Sequence, residues 1–200
     1  MSAPYQELRE RARSLALATL FDKPQERDII CDLIQLGLEL EKIIEIASEP
    51  ILAMIRMQWW VDLFDAEAPQ KEAPDFAKRL YHNAALAKAD LLEIVQTTQD
   101  SLQSPQPHVA WDAIFRHIAK ANGWQIKADI LNQIGQNLGT LYQEGEGAPY
   151  HPVSDKQIKA ASAKHYGFIR LANLAISRQS SGKTDQDFLL IFRYLWRVIR

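Results

Sequence analysis

The sequence predicts an all-α protein, a single helical bundle of about seven or eight helices spanning residues 1–200. Three observations carry that expectation. Glycine is scarce, at 8 of 200 residues. Apolar residues recur at spacings of three and four along the chain, the period of a helix with one buried face. Alternation of β-branched residues, the mark of a strand, is nearly absent.

The elements follow in order. A first helix is expected from about Tyr5 to Leu20, with Leu8, Ala12, Leu15, Ala16 and Leu20 on one face. Asp22 is placed to cap the next, and Pro24 stands in its first turn, where a missing N–H does no harm. That helix runs to about Ile46 through Ile29, Leu33, Leu36, Leu40 and Ile43. Ser48-Glu49-Pro50 signals a fresh start, and the third helix carries Ile51, Met54, Ile55, Trp59, Trp60 and Leu63.

The polar stretch from Ala66 to Pro74 is a loop, and a long helix is expected after it, from about Asp75 to Thr98. Pro105 and Pro107 mark a linker. Helices are expected over Val109 to Ala121 and Gln125 to Tyr142, before the glycine-rich break at Glu144-Gly-Glu-Gly-Ala-Pro149. Ser154 and Gln157 have the spacing of a capping box for a helix ending near Ile176. Thr184 and Asp187 repeat that spacing before a final helix to Arg200.

Composition narrows the class. Apolar residues make up 47% and charged residues 24%, the balance of a globular domain. A formal charge of −2 gives no global attraction to nucleic acid or to an anionic membrane, so no nucleic-acid partner is expected. Cys31 is the single cysteine and cannot form an internal disulfide; within an apolar helix it is expected to be a small buried hydrophobe. The charged start, Met1 to Arg13, lacks the apolar core of a secretory signal, and the apolar runs fall short of the roughly 20 residues that span a bilayer. These features point to a cytoplasmic protein.

Three segments then resemble one family. The first is Ser14-Leu-Ala-Leu-Ala-Thr-Leu-Phe-Asp-Lys-Pro24, followed by Arg27 and a helix carrying Glu39-Leu40. The second, and most specific, is Ser48-Glu-Pro-Ile-Leu-Ala-Met-Ile-Arg-Met-Gln-Trp-Trp-Val-Asp62. The third is Gly145 to Ile158, with Tyr150, Pro152 and Asp155. Together they resemble the squalene/phytoene synthases, and within them the branch with degenerate aspartate motifs that includes a respiratory complex I assembly factor. The likeness covers the first third of the chain well and the remainder loosely. It implies a shortened version of the all-α terpenoid-synthase fold. In active members, carboxylates on two facing helices hold Mg²⁺, which grips the diphosphate of an isoprenoid as it leaves.

The residues at those positions depart from the family pattern. Where the first motif needs paired aspartates, this chain has Glu41-Lys-Ile-Ile-Glu45. The i,i+4 spacing puts both glutamates on one face and Mg²⁺ tolerates glutamate, so Glu41 and Glu45 are the candidate metal ligands. Lys42, however, stands inside the motif. At the second motif, Leu138-Gly-Thr-Leu-Tyr-Gln-Glu144 offers a single acid and no arginine for phosphate. One doubtful arm of two does not support ionisation of a diphosphate. No cofactor is therefore expected, with Mg²⁺ required only if the chain is catalytic.

Other motifs carry less. The pairs Asp62/Asp65 and Asp90/Glu93 suit solvated helix faces. The five histidines show no metal-ligand spacing, and Ser181-Gly-Lys-Thr184 lacks the upstream glycine and strand of a phosphate-binding loop. Trp59 and Trp60 lie about 100° apart on their helix, so one can enter the core while the other faces a groove or partner. With Arg56, one turn earlier, they form a candidate ligand or partner surface. The final helix sets Arg193, Arg197 and Arg200, with Trp196, along an otherwise apolar segment. Such a helix either closes the bundle or lies on a membrane or partner surface, which would make the protein peripheral to the inner membrane.

The residues thus favour a non-catalytic relative that binds an isoprenoid-like lipid or a protein partner in a membrane complex. An active Mg²⁺-dependent prenyl-diphosphate transferase and a plain helical interaction domain are the alternatives.

Overall fold

A computed structural model describes residues 2–47, 49–104, 106–145, 149–154, 156–158 and 167–180. Nine α-helices are described: α1 (Ala3–Arg11), α2 (Arg13–Ala18), α3 (Pro24–Ile46), α4 (Pro50–Asp65), α5 (Asp75–Tyr81), α6 (Lys88–Ser101), α7 (Trp111–Ala121), α8 (Ala128–Glu144) and α9 (Gly167–Ser180). A 3-10 turn, Thr19–Phe21, joins α2 to α3. Eight of the helices reach seven residues, and no strand occurs among the described residues. The all-α class expected from the sequence is what the chain adopts.

The core is organised around α3. Its middle, Ile30 through Gly37, is buried without interruption, so this helix is enclosed rather than amphipathic. Helices α1, α4, α5 and α7 pack directly on it, α8 lies along α7, and α9 closes the far side against α2 and α8. Cys31 is fully buried, and burial pushes its thiol up to about 12. It behaves as the small hydrophobe its sequence context implies.

A buried carboxylate inside that core needs a partner, and Asp32 has one. Arg79 of α5 donates to both its oxygens, at 2.9 and 2.8 Å, and also to Glu7 of α1 at 2.7 Å. One guanidinium therefore ties three helices together through two carboxylates. Burial raises Asp32 to about 6, and the Arg79 hydrogen bonds oppose that rise.

Three local expectations are corrected. The single helix over residues 5–20 breaks at Ala12, whose backbone lies at φ −143°, ψ 73°. The bend lets Tyr5 and Leu8 bury while Arg11 reaches Glu39 of α3 at 2.8 Å. Asp22 does not cap α3. The capping position is Lys23, the backbone carbonyl of Asp22 accepts from Arg27 at 3.2 Å, and Asp22 Oδ2 is buried without a partner. The long helix from Asp75 divides into α5 and α6. Asn83 Oδ1 accepts the Ala85 N–H at 2.9 Å, an Asx-turn that competes with helix, and Asp90 Oδ2 accepts the Ala87 N–H at 2.9 Å to open α6.

The capping box at Ser154 is present: Ser154 Oγ accepts the Gln157 N–H at 3.2 Å, and Gln157 Oε1 accepts the Ser154 N–H at 2.9 Å. Gly145, with φ +73°, ends α8 in a conformation that disfavours any side chain. The second cap expected at Thr184 and Asp187 lies outside the described residues.

Candidate functional site

The geometry around the acid pair is set by Trp111, at the start of α7. Its ring fits between α3 and α8 because both present glycine. A Cβ on Gly37 would stand 2.4 Å from the indole, and one on Gly139 would stand 3.4 Å from it. The fully buried indole then has one polar atom to satisfy, and Nε1 donates to Glu41 Oε1 at 2.6 Å. Tyr142 of α8 stacks on the same indole, with centroids 5.5 Å apart and planes 15° from parallel.

Glu41 is half-buried and Glu45, one turn on, is exposed. Burial raises Glu41 to about 7; the Trp111 hydrogen bond lowers it and the charge of Glu45 raises it. Both line a pocket of about 380 Å³ with Glu144 from the end of α8, walled by Ile44, Tyr142 and Gln106. The fold thus brings the two acidic segments to one place, with three carboxylates on the pocket wall. Among the described residues no group of three or more acids, histidines or cysteines is arranged to hold a metal ion.

The second candidate surface lies on α4. Trp60 is 4% exposed, packed against Phe64 and Phe76 with centroids 5.8 and 5.9 Å away. Trp59 meets it edge-on at 5.0 Å and is 38% exposed. The adjacent tryptophans divide as helical geometry requires, Trp60 inward and Trp59 outward. Arg56 is exposed on the same helix and makes no ion pair among the described residues.

Nearer Trp59 the outer face of α4 carries the exposed Arg56, Gln58 and Asp62, but its first turns are apolar. Ile51, Leu52, Met54 and Ile55 are exposed there, with Ile46 at the end of α3, and Ile51 and Ile55 are more than three-fifths open. The inner face carries Ala53, Met57, Trp60, Leu63 and Phe64. Over its first turns α4 is therefore apolar on both sides, and only one is covered. Ser48, which begins the signature segment, lies outside the described residues, as do Arg193, Trp196, Arg197 and Arg200.

In the third resembling segment, side chains pin the loop to the bundle. Tyr150 Oη donates to Asn173 Oδ1 at 2.7 Å, and Asn173 and Asn137 donate to the Val153 and His151 carbonyls at 2.9 and 2.8 Å.

Sequence reasoning missed two polar clusters. One is the Arg79 clamp. The other joins α6 to α7, where Asp90 is buried rather than solvated and receives Lys120 at 2.6 Å. Glu93, on the same face, receives Arg116 at 2.9 Å and lies 3.1 Å from His117 Nε2. Burial holds His117 below the ordinary imidazole range, against the pull of Glu93 and Asp90. The signal was the i,i+3 acid pair facing Arg116, His117 and Lys120 on a helix of matching length. Each half alone looks like a solvated face, and only the packing of α6 on α7 joins them.

No helix among the described residues is long and apolar enough to cross a membrane. Comparison with protein-family models, with curated proteins and with solved structures finds no match.

Proposed function

We propose that this chain is a non-catalytic relative of the squalene/phytoene synthases that works by binding. Its working surface is the outer face of α4, presented to a protein partner in a membrane-associated assembly. The observation that carries the reading is the half-covered α4. Apolar side chains on both sides of a helix are ordinarily enclosed, and a run of exposed ones such as the first turns of α4 carry marks an interaction site. The same helix holds the Arg56–Gln58–Trp59–Trp60 signature, so the exposed surface and the family resemblance coincide.

The acid pair supports the non-catalytic half of the proposal. Glu41 accepts the Trp111 N–H and holds its proton up to about 7, so near neutral pH it is a weak ligand for a hard cation. One observation favours a second reading, the Mg²⁺-dependent prenyl-diphosphate transferase: Glu41, Glu45 and Glu144 line one pocket.

Calorimetric titration with a non-hydrolysable farnesyl diphosphate analogue, with and without Mg²⁺, separates the two. The expected result is no Mg²⁺-dependent binding. Mg²⁺-dependent binding that disappears in Glu41→Ala and Glu45→Ala would establish the transferase instead. Binding of the analogue indifferent to Mg²⁺ and to both substitutions would point to an isoprenoid-like lipid ligand.

A further inference from the structure

We infer that the partner seated on α4 is an amphipathic protein helix whose apolar stripe is flanked at its ends by Lys or Arg. This rests on the reading of α4 as the working surface and names what covers it.

The area fits a protein. Six large apolar side chains from Ile46 to Trp59 are between 38% and 63% exposed. They leave on the order of 600 Å² uncovered, the upper end for a monomer's largest patch. A standard interface takes about 800 Å² from each partner, so the patch supplies the centre of one and leaves a polar rim to find.

The shape fits a helix. Ile51 and Ile55 stand one turn apart on one helical line, with Trp59 and Leu52 on one flank and Met54 and the exposed Gln58 on the other. This is an i,i+4 ridge standing clear of the bundle, the form that enters the groove between side-chain rows of another helix.

Charge chooses among occupants. Asp62 continues the Ile51–Ile55 line at its far end, Glu49 stands at the near end, and Glu45 precedes it; all three are exposed. Arg56 is the one cation on α4 and lies at the margin of the ridge. An anionic bilayer meets carboxylates at both ends. A second copy fares no better. Antiparallel pairing about Ile55 sets Asp62 beside the other chain's Glu49, and parallel pairing sets each carboxylate against itself. A helix with cations at both ends of its stripe turns those contacts into attractions.

The test uses the full chain and two dansyl-labelled helical peptides with identical leucine stripes, one flanked by Lys and the other by Glu, followed by fluorescence anisotropy. The Lys peptide is expected to bind at least roughly tenfold tighter at low salt, about 1.4 kcal/mol. Ile55→Asp should abolish that binding although it adds negative charge, and Ile55→Ser, a milder change, should weaken it. Glu49→Lys with Asp62→Lys should reverse the preference.

Equal binding of the two peptides overturns the inference, and so does Lys-peptide binding that Ile55→Asp leaves intact. A concentration-dependent dimer dispersed by Ile55→Asp assigns the ridge to a second copy. Flotation with phosphatidylcholine vesicles, lost in Ile55→Asp, assigns it to a bilayer. Those two outcomes reject the basic helix but keep α4 as a binding surface, whereas indifference to Ile55→Asp in every assay removes the binding surface itself.

Discussion

Glu41→Gln is expected to stabilise the protein above neutral pH and to do little below pH 5. The folded chain holds the Glu41 proton to about 7, against 4.5 for a free glutamate. A carboxyl group whose proton affinity rises on folding contributes stability that is fully present below about 4.5. That contribution falls as pH climbs and is gone above about 7, because ionisation must then occur in a poorly solvated site. Two and a half pH units correspond to roughly 3 kcal/mol, and solvent screening of a half-buried group brings this to about 2 kcal/mol.

Glutamine keeps the oxygen that accepts the Trp111 Nε1–H, so the variant loses no hydrogen bond and cannot ionise. Urea unfolding of both proteins at pH 5 and pH 8 gives the comparison. Asp22 and Asp32 titrate in the same window but are common to both chains, so they cancel in the difference. The variant should gain about 2 kcal/mol relative to wild type between the two pH values, or roughly 4–8 °C in melting temperature at pH 8. A difference that does not change with pH would refute the desolvation of Glu41.

Arg79→Ala should cost about 3–5 kcal/mol in urea unfolding at pH 8, since it strands Asp32 in the core; a loss under about 1 kcal/mol would mean the clamp is wet. Gly37→Ala should cost at least about 1–3 kcal/mol, because its methyl lands 2.4 Å from the Trp111 ring in a packed site, and near-UV circular dichroism should report the displaced indole. Trp60→Ala should cost about 3–5 kcal/mol and Trp59→Ala about 1 kcal/mol or less, although the two are neighbours in sequence; equal losses in urea midpoint would contradict the inward and outward assignment.

Periodicity made the helical class and the positions of α3 and α4 legible, because each carries a dense apolar pattern bounded by proline. The breaks at Ala12 and at residues 82–87 were not legible. Ala12 is a good helix former that bends because Arg11 and the apolar residues before it find partners on α3, and no local signal encodes that. The second break rests on Asn83 bonding its own backbone, a preference outvoted by the helical pattern on either side. At the candidate site, the glutamate pair was visible by spacing, but its occupant was not. That Glu41 answers an indole depends on Gly37 and Gly139 making room 102 residues apart, a coincidence only the folded chain creates. On α4 an outward tryptophan beside Arg56 was legible from the 100° step between neighbours, but that Ile51, Leu52, Met54 and Ile55 stay uncovered was not, since periodicity does not say which apolar side chains find a partner.

The Arg79 clamp also bears on how the molecule comes off the ribosome. Its two carboxylate partners precede it by 72 and 47 residues. At about 5–20 residues per second, the first helix waits on the order of 4–14 s after its own synthesis before the guanidinium that anchors it has been made. During that interval Tyr5 and Leu8 have no finished core to enter, and slow codons between residues 32 and 79 would lengthen the time that α1 stands without its anchor.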